Sequence, residues 1–138
     1  MFQVTKKIER AFKEKKLPYE IFDHEEVSIL QVPFSGQNIR SAKVSFISMD
    51  NSNNVAVRVL NMGVVREERI SIVLLLLNEL NNRYRYLKFV MDENRVVSIQ
   101  YDLPESGKGI GAICFEVVQR FIRVVDEAYP ELMEAIWG

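Results

Sequence analysis

Cysteine is nearly absent from the chain: Cys114 stands alone, so no disulfide can form within it. A single thiol in an ordinary domain fits a reducing, cytoplasmic home. Histidine is as scarce, with His24 the only one. No second imidazole and no thiol pair is at hand to complete a zinc site, and a hydrolytic triad would have to depend on His24. Long apolar runs are missing too. The longest extends only from Ile72 to Leu77, far short of the ~20 residues of a spanning helix, so no membrane crossing is expected. The first sixteen residues carry Lys6, Lys7, Arg10, Lys13, Lys15 and Lys16 with no apolar stretch behind them, which does not read as a secretory leader. Charge of one sign is lacking as well. With 18 basic and 19 acidic side chains the net charge is -1, and no global field draws nucleic acid or anionic lipid.

What remains is an ordinary globular composition, 48% apolar and 27% charged, which argues against disorder. A chain of 138 residues reads as one domain, 1–138. At this size it buries roughly two-thirds of its unfolded surface. Residues 3–16 predict a helix with a narrow stripe of Val4, Ile8, Ala11 and Phe12, stopped by Pro18. Short strand patterns follow near 19–22, at "VSILQVPF" (27–34), at "SAKVSFISM" (41–49) and at "VAVRVL" (55–60). Pro33 sets the second of these at an edge or at its end. The "DNSNN" between the last two is a turn signal that makes them a hairpin.

A second helix is predicted over 67–83. Projected at 100° per residue, Ile70, Ile72, Val73, Leu74, Leu76, Leu77, Leu80 and Tyr84 fill an arc of roughly 200°, wider than a surface helix requires. The expectation is a helix that covers the sheet and touches another layer, with Leu75 left over on the polar side. A hairpin over 86–102 turns at "DEN". The last helix, 109–129, has an inner face of Ile110, Cys114, Val117, Val118, Phe121, Val124, Val125 and Ala128. Pro130 suits the start of a separate short helix, "PELMEAIW". The order α-ββββ-α-ββ-α, with short turns between strands, predicts an α+β fold: a mainly antiparallel sheet with helices packed on it.

Chemistry is sparse. "GKGIGA" (107–112) matches a dinucleotide fingerprint, but Asp102–Ser106 separate it from the strand, and no second parallel strand follows its helix. "DHEE" (23–26) offers Asp23, His24, Glu25 and Glu26 in one turn, where they cannot all face one ion. The carboxylate pairs Asp92–Glu93 and Asp126–Glu127 read as solvated positions on a turn and a helix exterior. "RYRY" (83–86) interleaves basic and aromatic groups as single-strand binders do, yet the RNA-recognition signature is absent and Tyr84 completes a helix stripe. Cys114 falls on an inner helix face, an inert core thiol. Asn81 falls inside the apolar arc, where its amide is expected to bond backbone groups as the helix hands over to 84–86. No catalytic, cofactor-binding or metal-binding residue is assigned, and no cofactor.

The second half resembles a known family. "LLLLNELNNRYRYLKFVMDENRVVSIQYDLP" and "FIRVVDEAYPELMEAIWG" are similar to the YbjN family of bacterial sensory transduction regulators. The resemblance covers about 66–138 and rests on three features. They are the Leu77, Asn78, Asn81 turn, the hairpin end Tyr101-Asp102-Leu103-Pro104, and the Asp126–Trp137 segment with Tyr129-Pro130. In the first half only the strand spacing fits. The resemblance implies a fold like that of type III secretion chaperones, small α+β proteins that are commonly dimeric, bind other proteins and catalyse nothing.

Two functions are weighed. The first is a non-enzymatic cytoplasmic protein-binding or regulatory module, chaperone-like, that presents apolar surface to a partner. The second is a small-ligand binder or enzyme with a pocket between helix and sheet. For the first, Leu75 projects from the polar side of its helix, and Phe115, Ile122 and Tyr129 repeat every seven residues along one shoulder of the last helix. Such a seam predicts an interface, with a second copy as the simplest partner, or else a cover within the chain from the N-terminal helix or 130–137.

Overall fold

The structure is a computed structural model and describes residues 1–52, 54–104 and 109–138. The elements run α1 (Gln3–Glu14), β1 (Glu20–Asp23), β2 (Ser28–Phe34), β3 (Ala42–Ser48), β4 (Val55–Val64), a 3-10 turn (Glu67–Arg69), α2 (Ile70–Arg83), β5 (Lys88–Met91), β6 (Val96–Leu103) and α3 (Ile110–Trp137). This is the expected α-ββββ-α-ββ-α order of an α+β fold.

Six strands form one sheet in the order β1-β2-β3-β4-β6-β5, and every pairing is antiparallel. Because side chains alternate across the pleat, cross-strand partners share a face. Ile21, Leu30, Phe46, Val57 and Tyr101 line up across five strands, and Val59, Ile99 and Phe89 form a second row. The helices cover this face: Phe12 of α1 meets Phe46 edge-on at 5.5 Å, and Tyr84 lies 6.0 Å from Phe89. On the opposite face Gln31, Ser45, Arg58, Gln100 and Lys88 make a polar row, in which Gln31 donates to Ser45 Oγ (3.1 Å). There Arg58 also pairs with Asp102 at 2.7 Å. Pro33 is the next-to-last residue of β2 and lies past the end of its pairing with β1, which stops at Gln31, so the proline falls at the strand's end.

Besides shifts of a residue or two at element ends, three differences from the sequence reading bear on the packing. β4 does not end at Leu60. A bulge carries it on to Val64, with Asn61 at φ 56 and Gly63 at φ 154. A Cβ on Gly63 would press on Ile136 at 3.2 Å, so glycine admits the end of α3 there. The second helix starts with a 3-10 turn, and Arg69 of that turn donates to the Ala135 and Glu134 carbonyls at 2.9 and 3.1 Å. The Glu134 carbonyl also accepts the Gly138 N–H at 2.9 Å, so Arg69 adds side-chain donors to the last turn of α3.

The third difference is at Pro130, which starts no new helix: α3 is continuous across it for 28 residues. A proline removes the bond its N–H would give to the carbonyl four residues back. That carbonyl belongs to Asp126, and the Asn38 side-chain amide donates to it at 3.0 Å. The vacancy in the helix ladder is filled from the loop between β2 and β3.

Candidate partner-binding surface

α2 buries only Val73, Leu77 and Leu80, with Ile70 and Leu76 half-buried. The buried stripe is therefore narrower than the projected arc. Ile72 and Leu74 lie on its flanks and are exposed, and Leu75 stands on the far side, 71% exposed. The reason is architectural. Among the described residues α2 rests mainly on α3 and β5, so one side is covered and the opposite side stays exposed. Between 70 and 83 only Glu79 and Arg83 are charged, and Arg83 is held by Glu131 at 2.7 Å. A helix that is apolar nearly all round is normally buried nearly all round. This one is not.

The other three interface candidates lie elsewhere. Phe115, Ile122 and Tyr129 are half-buried and pack against the chain's own core. Phe115 sits 6.3 Å from Phe12 of α1, with the Lys15 ammonium 5.6 Å above its ring. The N-terminal helix thus covers this end of the seam. Tyr129 lines a cavity of about 560 Å³ with Ile39, Leu60 and Met62. Only Leu75 of the four stands on open surface.

Two polar residues position the elements around α2 and α3. Asn81 donates to the Phe89 carbonyl (3.0 Å) and accepts from the Phe89 N–H (2.7 Å). Its partners lie on β5, further along the chain than the expected 84–86. Asp126, read from sequence as a solvated exterior carboxylate, accepts from the backbone N–H groups of Asn38, Ile39 and Gln37 at 2.8, 3.0 and 3.1 Å. The Asn38 N–H foremost, with those of Ile39 and Gln37, holds its carboxyl below the usual range. Gly36 belongs to the same junction, since a Cβ there would collide with the Asp126 carboxylate. The signal for Asp126 was present in the sequence: it stands four residues before Pro130, at the carbonyl a proline must orphan.

The motifs weighed for chemistry have structural surroundings. Asp23 takes the Ser28 hydroxyl at 2.8 Å and the N-terminal ammonium at 3.1 Å, and the His24 N–H closes a turn on Val27. Among the described residues no cluster of three His, Cys, Asp or Glu is placed to hold a metal. Residues 107 and 108 of "GKGIGA" lie outside the described residues. Gly111 is where α3 crosses α1, for a Cβ would come within 2.9 Å of the Lys7 carbonyl. Asp92 caps its turn by accepting from Asn94 and Val96. Cys114 is fully buried, and burial pushes its thiol up to about 12. Sequence reading missed one cluster. Arg83, Arg85 and Tyr86 of "RYRY" meet Arg120 and Arg123 of α3 around one cavity.

Among the described residues no helix is long and apolar enough to cross a membrane. Comparison with curated proteins finds no match. A family model described as "Putative bacterial sensory transduction regulator" matches residues 5–134, nearly the whole chain and well beyond the half that carried the resemblance. On that match the chain belongs to the YbjN family.

Proposed function

We propose that the protein is a non-enzymatic, cytoplasmic regulatory module that works by binding protein, and that the outer surface of α2 is where it binds. The observation that carries this reading is the exposure of Ile72, Leu74 and Leu75 on a helix covered along one side only. Scattered apolar residues on a surface are normal. Three on one nearly uncharged helix, Leu75 on the far side and Ile72 and Leu74 on its flanks, expose apolar area whose removal from water favours association. The family description, a regulator of sensory transduction, agrees with a protein that acts through contacts. The first occupant is a second copy of the chain. A two-fold axis through α2 sets Leu75 against its own equivalent, and the near absence of charge there leaves little like-charge repulsion to overcome. A chaperone-like role follows if the same surface also receives other chains.

Sedimentation equilibrium at tens of micromolar tests the reading. The parent is expected as a dimer and Leu75→Glu as a folded monomer with an unchanged circular dichroism spectrum. A parent that stays monomeric removes the homodimer. A Leu75→Glu variant that still dimerises moves the interface away from α2.

A further inference from the structure

We propose that the cleft where α2 hands over to β5 binds a phosphate monoester group. This inference is independent of the docking surface on α2. A cavity of about 350 Å³ is lined there by Arg83, Arg85, Arg120 and Arg123 with Tyr84 and Tyr86. That volume lies at the small end of ligand sites and suits a phosphate with a modest substituent rather than a dinucleotide.

The charge balance is the first argument. Arg83 is engaged by Glu131 through its two terminal guanidinium nitrogens, at 2.7 and 3.3 Å. Glu127 accepts from the Tyr84 hydroxyl at 3.1 Å. Among the described residues Arg85, Arg120 and Arg123 enter no ion pair. With Arg83 neutralised by Glu131, three further guanidiniums line the same cavity in a chain of net charge -1. Gathering like charges is unfavourable unless an anion neutralises them. Arginine presents rigid donor forks that match phosphate oxygens. With Arg83 held by Glu131, the remaining forks come from two separate segments, the connection after α2 and the middle of α3, an arrangement that fits a tetrahedral anion better than a flat carboxylate.

The backbone supplies a second, independent argument. Tyr86 has φ 76, and the Leu87 N–H bonds the Arg85 carbonyl across it at 2.9 Å. A three-residue turn centred on positive φ is rare and strained, above all for an aromatic residue. At this turn the Tyr86 ring lies 4.6 Å from the Arg120 guanidinium and 6.0 Å from the Tyr101 ring. Stacked in this way, Arg120 is oriented before any ligand arrives.

Isothermal titration at low salt with inorganic phosphate and with adenosine monophosphate tests the proposal, with adenosine and sodium chloride as controls. Both phosphates are expected to bind, and the free ion and the monoester are told apart by which binds more tightly. Arg120→Gln with Arg123→Gln is expected to weaken binding by roughly tenfold or more. Lys6→Gln with Lys7→Gln, which removes as much charge from α1, leaves it unchanged. If the double arginine variant fails to fold, exposed Arg85→Gln replaces it, with the same expected direction. Absence of binding by both phosphates overturns the proposal. So does an equal loss with the α1 variant.

Discussion

Asn81 illustrates how little a residue's exposure says about its role. It lies at the surface, yet both amide atoms are spent on the Phe89 backbone. β5 is an outer strand of the sheet, so these groups would otherwise face water or another chain. Asn81→Leu is expected to cost about 1 kcal/mol, the low end for unpaired groups because water can reach them; urea unfolding measures it. Asp126 makes a prediction about acid. Its folded-state pKa is depressed by the Asn38 N–H first, so its contribution is complete above the ordinary carboxylate range and is lost as pH falls through the folded value. Asp23, through the Ser28 hydroxyl, and Glu131, through Arg83, are shifted in the same direction. Melting temperature is therefore expected to fall below about pH 4, and Asp126→Asn is expected to flatten that fall.

At the scale of the element, α3 and Pro130 pose a test of coupling. Asn38 replaces the bond that Pro130 cannot make. Asn38→Ala is expected to cost about 1 kcal/mol in the parent and clearly less beside Pro130→Ala, where the helix repairs its own ladder. A double-mutant cycle by chemical denaturation reads the difference. The same helix marks what a sequence discloses. All eight inner-face residues projected for it, from Ile110 to Ala128, are buried, because polar and apolar positions alternate sharply enough to fix a phase. α2 has no such contrast. Leucines on every side do not say which side will be covered, since that depends on how many neighbours arrive. The continuity of α3 past Pro130 was hidden for another reason: the compensating amide is 88 residues away. The arginine cluster is dispersed likewise over 83–85 and 120–123, two segments that only the fold brings together.

For the whole molecule, the proposed dimer predicts how stability depends on concentration. If association is linked to folding, the parent's melting temperature rises with protein concentration. Leu75→Glu is expected to abolish that rise while leaving the dilute-limit melting point nearly unchanged, because the side chain is 71% exposed. Phe115→Glu, by contrast, is expected to lower the melting point at every concentration, since Phe115 packs against the chain's own core. Scanning calorimetry over a range of concentrations separates the two. The position of α3 in chain order also bears on folding kinetics. β1 to β4 pair as successive neighbours, so their registers are set by local encounters. α3 is synthesised after all six strands, yet it packs on α1, from the opposite end of the chain. A growing chain thus presents α1, and the α2 residues Val73, Leu77 and Leu80, before the helix that packs on both has been made. Until α3 docks, the apolar sides of α1 and α2 that it covers stay open to water and to other chains.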